Sequence, residues 1–87
     1  MADKLSPRAV RVVAAAEAAF GKRWQTALAA SAGVSQALLA KIAAGDRVVT
    51  DEVYRKIAEG LLKQADRLRK SAGRIDEMAG RMLAELD

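Results

Sequence analysis

Gln25-Thr26-Ala27-Leu28-Ala29-Ala30-Ser31-Ala32-Gly33-Val34-Ser35-Gln36-Ala37-Leu38-Leu39-Ala40-Lys41-Ile42-Ala43-Ala44-Gly45 is the stretch that decides the fold. It reads as two short helices joined at Gly33. Two short helices that cross steeply need a small residue where they approach, and Ala29 supplies it. The tight turn needs a residue that tolerates positive φ, and Gly33 supplies that. The second helix of the pair must bury one face, for which Val34, Leu38 or Leu39, and Ile42 form the stripe. Ser35, Gln36 and Lys41 then fall on its polar face.

Outward from this pair the chain stays helical. On the N-terminal side, Ser6-Pro7 is an N-cap followed by Pro at the first helical position, where a missing N–H costs nothing. Ala9, Val13, Ala16 and Phe20 recur at helical spacing, and Gly21 stops a helix over residues 7–20. A basic link, Lys22-Arg23, leads to Trp24 and the second helix through Ala32. Ser35 caps the third helix, which Gly45 ends near Ala44. On the C-terminal side Thr50 is the next N-cap, with Asp51 and Glu52 in the first turn where the helix dipole favours negative charge. No Pro follows, and the pattern is helical to Leu86. Gly60 and Gly73 are the points where this long helix is expected to break, if it breaks, since each Gly weakens it by roughly 1 kcal/mol relative to Ala.

Composition agrees. Aromatics are only Phe20, Trp24 and Tyr54, and the longest β-branched run is Val48-Val49-Thr50. Sheets need more of both, so the chain is expected to be all-α. Eighty-seven residues suffice for one small domain and an appended element, a size at which oligomerisation is a common source of stability. The chain contains no Cys and no His, which removes thiol nucleophiles, imidazole bases, zinc fingers and disulfides. Asp51 and Glu52 have no convergent partner for acid–base work. With no phosphate loop and no nucleophile–base pair either, an enzyme is not expected, and no metal or cofactor is implied. Lys22, Arg23, Lys41, Asp46 and Arg47 interrupt the apolar runs of the first half, so no membrane span is expected. Met1-Ala2-Asp3-Lys4-Leu5 lacks a signal-peptide pattern, and the expected location is the cytoplasm.

Charge is unevenly placed. The formal net charge is +4. Residues 1–50 hold seven basic side chains (Lys4, Arg8, Arg11, Lys22, Arg23, Lys41, Arg47) against three acids (Asp3, Glu17, Asp46), while residues 51–87 hold eight of each. The whole excess lies in the first half, which points to a polyanion there.

The pattern Gln25-x-x-Leu28-Ala29-x-x-x-Gly33-Val34-Ser35-x-x-x-Leu39-x-x-Ile42, followed by Gly45, resembles the helix-turn-helix of Cro and phage-repressor-type proteins, the xenobiotic-response-element-like regulators of bacteria and their phages. The resemblance covers roughly residues 8–60. It implies that the helix beginning near Ser35 is a recognition helix, that Gln25 contacts phosphate, and that Ser35, Gln36 and Lys41 face double-stranded DNA. Gln36 suits base reading because a Gln amide can bond an adenine edge bidentately. Lys41, Lys22, Arg23 and Arg47 suit phosphate, giving affinity and register without sequence information. The start of the second helix, near Gln25, can offer backbone N–H groups to a phosphate. The recognition face departs from the family in carrying Ala37 and Ala40 and no Arg. Specificity then falls to a thymine methyl against Ala37, to DNA shape or to dimer spacing. So sparse a face also suits a relative repurposed to bind protein. Trp24 and Tyr54 are expected to pack in the core rather than stack on bases, which makes structured RNA the weaker polyanion.

The tail repeats apolar residues in a 4-3 pattern. Ala58, Ala65, Ala72, Ala79 and Leu86 hold one seam position, and Leu61, Leu68, Ile75 and Met82 the other. Ala once per heptad lets a partner helix approach closely. Ile57, Leu62, Met78 and Leu83 widen the stripe beyond a strict two-stranded seam, and so wide a face needs a cover. The mixed charges around it, Arg67, Arg69, Lys70 and Arg74 against Asp66, Asp76 and Glu77, suit helix pairing. The organisation expected is a flexible N-terminus over 1–5, a helix-turn-helix DNA-binding domain over 6–60, and a C-terminal helix over 61–87 for dimerisation through Leu61, Ala65, Leu68, Ala72, Ile75, Ala79, Met82 and Leu86. The expected function is a homodimeric transcriptional regulator, a repressor. The alternative is a protein-interaction module, antitoxin-like or inhibitory, that works through its C-terminal helix on a protein partner.

Overall fold

The computed structural model describes residues 5–87, so most of the segment expected to be flexible, residues 1–4, lies outside the described residues. Four helices follow in order: α1 (Pro7–Phe20), α2 (Trp24–Ala32), α3 (Gln36–Ala44) and α4 (Asp51–Leu86), with no strand among the described residues. The protein is all-α, a small helical bundle with a long C-terminal helix.

The helix starts follow from local chemistry. The Ser6, Ser35 and Thr50 hydroxyls accept from the N–H groups of Ala9, Leu38 and Val53 at 3.1, 3.0 and 3.2 Å. Each bond satisfies one of the orphan donors of a first turn and stabilises its helix by about 1 kcal/mol. Gly33 has φ +72° and donates its N–H to Ala29 O at 3.0 Å, and Val34 N–H bonds the same carbonyl at 3.2 Å. A side chain at Gly33 would be strained in this left-handed conformation, so the turn between α2 and α3 rests on that residue.

The core is made by Ala9, Val12 and Ala16 of α1, Trp24 and Leu28 of α2, Leu39 and Ile42 of α3, Val49 of the following loop and Ile57 of α4. Burying each of the large aliphatic side chains is worth about 1.5–3 kcal/mol. The structure chooses Leu39 over Leu38 for the buried stripe of α3; Leu38 is half-buried at its edge. It also centres the buried side of α1 on Val12, leaving Val13 and Phe20 half-buried.

Gly60 is where α2 crosses α4, and the helix does not break there. A β-carbon at position 60 would lie 2.9 Å from N, Cα and Cβ of Ala32. The Ser31 hydroxyl donates to Gly60 O at 2.9 Å across the same crossing. The glycine that weakens α4 by propensity thus permits a close approach of α2 to α4, and burial offsets its local cost. α4 also runs unbroken through Gly73.

Two further contacts lock the bundle. Arg8 donates to Val49 O at 3.1 Å, pairs with Asp51 at 2.7 Å and lies over the Tyr54 ring, 4.7 Å from its centroid. Gln64 Nε2 donates to Ala19 O at 3.2 Å, which ties α4 to the end of α1. Beyond Ala65 every residue of α4 is exposed. A helix of 36 residues is about 54 Å long at 1.5 Å per residue, and the molecule's longest dimension is 57 Å. More than half of α4, from Asp66 onward, therefore projects from the bundle as a free rod.

Candidate nucleic-acid interface

Three buried anchors set the interface. Trp24 fixes the first turn of α2, while Leu39 and Ile42 press one side of α3 into the core. The opposite side of α3 is thereby turned outward, and Ser35, Gln36, Ala37, Ala40 and Lys41 are all exposed. Gly33 then sets the starts of α2 and α3 near one another. Between them lies a concavity of about 300 Å³ lined by Lys22, Arg23, Gln25, Thr26 and Gln36.

Four of the residues expected to meet DNA converge in this cleft: Lys22, Arg23, Gln25 and Gln36. Thr26 joins them and was not among the sequence candidates; its place beside Gln25 in the first turn of α2 is the signal that would have found it. Arg23 occupies the N-cap of α2 without a side-chain capping bond, so the first N–H groups of α2 have no capping side chain. Two cations, two amides, a hydroxyl and a helix start together form a surface suited to a phosphate oxygen and to a polar edge beside it. Ser35 is exposed, but its hydroxyl is engaged as the α3 cap. Ala37 and Lys41 are exposed on α3 outside the cleft. Arg47 lies elsewhere, lining a second concavity of about 200 Å³ with Ser6, Ala9, Gly45, Asp46 and Val48.

The ion pairs sharpen the charge reading. Among the described residues they are Arg8–Asp51, Lys56–Glu52 and Lys70–Asp66. Arg8, counted on sequence with the basic excess, is drawn into a structural clasp, and Arg11 approaches the Tyr54 hydroxyl at 3.4 Å. Lys22, Arg23, Lys41 and Arg47 are exposed and take part in none of these pairs. The field of the first half is thus carried by the α1–α2 link, α3 and the loop after it.

The tail seam is placed differently along its length. Leu61 is half-buried against its own core, and Ala65 is half-buried too. Ile57, expected to widen the seam, is a core residue. From there the face opens: Leu68, Ile75, Met82 and Leu86 are 46, 59, 65 and 83 % exposed. Ala72 and Ala79 lie exposed between them, and Leu62, Met78 and Leu83 flank them in the open. Among the described residues no helix is long and apolar enough to cross a membrane.

Comparison of the chain with protein-family models, with curated proteins and with solved structures found no match in any of the three.

Proposed function

We propose that the protein is a sequence-specific, dimeric DNA-binding regulator that acts as a repressor. The observation that carries this reading is the convergence of Lys22, Arg23, Gln25, Thr26 and Gln36 in one cleft beside the exposed side of α3. In this mechanism α3 enters the major groove, Gln36 reads a base edge, and the start of α2 holds the adjoining phosphate. Lys22, Arg23, Lys41 and Arg47 neutralise phosphates and set the register. A second copy supplies the other half-site, and bound protein obstructs transcription sterically.

The test is a fluorescence-anisotropy titration at two salt concentrations, against DNA from upstream of the protein's own gene and against a scrambled duplex. The expected result is tight, salt-sensitive binding that prefers the native sequence. Equal affinity for both duplexes would defeat sequence specificity, and no binding to either by the folded protein would defeat the DNA reading. The exposed apolar face of α4 favours one other reading, a protein-interaction module of antitoxin or inhibitor type, whose partner helix would cover Leu68, Ile75 and Met82.

A further inference from the structure

We propose that the free part of α4 is closed by α4 of a second copy running antiparallel, in the one register that sets Ala72 of each chain against Ile75 of the other. The proposal rests on the dimeric part of the reading above and specifies its geometry.

The argument begins with size. The seam has Ala at positions 65, 72 and 79 and Leu, Ile or Met at 68, 75 and 82. In a parallel pair like meets like, so thin Ala–Ala layers alternate with bulky ones. In an antiparallel pair each seam position faces the other type. Ala65 then meets Met82, Ala72 meets Ile75, Ala79 meets Leu68, and Leu86 meets Leu61. Each Ala opposes a large side chain, so the three Ala layers have uniform thickness, as close packing demands, and only the end layer sets Leu against Leu.

Charge selects the register. Flanking the seam on one side are Leu62, Arg69, Asp76 and Leu83. In the stated register Arg69 of each chain lies beside Asp76 of the other, twice by symmetry. Leu62 lies beside Leu83, and these are two of the most exposed large apolar residues, at 68 and 66 %. On the other side Ser71 meets Met78, with no like charges, while Gln64 stays tied to Ala19 O of its own bundle. A slip of one heptad in one direction sets Arg69 against Arg69, and a slip in the other sets Asp76 against Asp76. In a parallel pair Arg69 faces Gln64 and Asp76 faces Ser71, so neither charge finds its opposite. Within a single chain neither Arg69 nor Asp76 belongs to the ion pairs of the described residues.

The ends fit as well. Leu86 of the second copy arrives at Leu61, on the rim of an apolar cavity of about 260 Å³ whose walls include Val12, Ala15, Tyr54, Ile57 and Ala58. The two-fold axis passes between Gly73 and Arg74. The two Leu61 positions then lie about 38 Å apart along the rod at 1.5 Å per residue, so the two bundles sit at opposite ends of the pair.

The test uses the full chain, whose lack of Cys permits clean single labelling. Spin labels go on Lys63→Cys and Ala84→Cys, both on the outer side of α4 and both exposed. Antiparallel pairing puts the two 63 positions roughly 35 Å apart and brings 63 of one chain to roughly 16 Å from 84 of the other. Parallel pairing reverses the two distances, and that reversal would overturn the proposal. A monomer at all concentrations by sedimentation would overturn it too and assign the face to a different partner. Charge reversal gives a second readout. Arg69→Asp and Asp76→Arg should each raise the dimer Kd on the order of tenfold, and the double variant should restore it. Insensitivity to all three would remove the register. The DNA titration is independent: antiparallel distances without DNA binding would sink only the regulator, and parallel distances with DNA binding only the geometry.

Discussion

Gly60→Ala is the substitution whose outcome depends most on tertiary contact. By helix propensity alone it should stabilise α4 by about 1 kcal/mol, since Ala is the best helix former and Gly among the worst. The added β-carbon, however, would sit 2.9 Å from three atoms of Ala32, two of them backbone. Backbone cannot swing aside as a flexible side chain can, so α2 must move away from α4. Forcing extra volume into a packed site costs about 1–3 kcal/mol. The same shift stretches the 2.9 Å bond from Ser31 to Gly60 O, a further ~0.5–1.5 kcal/mol. The balance is a loss of about 1–3 kcal/mol. For a domain of this size each kcal/mol lowers Tm by about 4–8 °C. Gly73→Ala is the control: nothing lies within 4 Å of a β-carbon there, so it should gain about 0.5–1 kcal/mol. The assay is thermal and urea unfolding by circular dichroism at one fixed protein concentration, because association would shift both curves. If Gly60→Ala unfolds at or above the parent temperature, the close-approach argument is refuted.

Other expectations concern the clasp and the proposed DNA contacts. Arg8→Ala should destabilise by about 1–2 kcal/mol through lost stacking on Tyr54 and the lost bond to Val49 O. Asp51→Asn should cost under about 1 kcal/mol, because that carboxylate is 84 % exposed and the pair is well solvated; equal losses in urea unfolding would show that the ion pair, not the stack, holds the clasp. Gln36→Ala should erode discrimination at one base pair by about 1–3 kcal/mol if its contact is bidentate, and unchanged specificity across a panel of single-base variants would remove that role. Lys22→Ala and Lys41→Ala should each weaken binding to all duplexes alike and lower the salt slope by about one unit. An unaltered slope in either variant would exclude a phosphate contact by that residue.

The boundaries of this protein's helices were legible in its sequence because they are local events. Ser6, Ser35 and Thr50 cap through hydroxyls that reach only three residues ahead, and Gly33 reverses the chain through its own φ. Such choices depend on a handful of neighbouring atoms, so reading along the chain recovers them. Much of the cleft between α2 and α3 was legible for the same reason, since Gln25 and Gln36 each sit in the first turn of a short helix. What the sequence left open depends on approach between distant segments. Leu38 and Leu39 are equivalent by spacing, and only the direction from which α1 and α2 close over α3 decides that Leu39 is buried. Arg8 counts as free charge until folding brings Asp51 and Tyr54 beside it. Gly60 reads as a weak point along α4 and becomes a contact once Ala32 lies against it. Local backbone preference extends over about one helical turn, whereas packing is a relation between residues 20 or 40 apart, and only the folded chain brings those together.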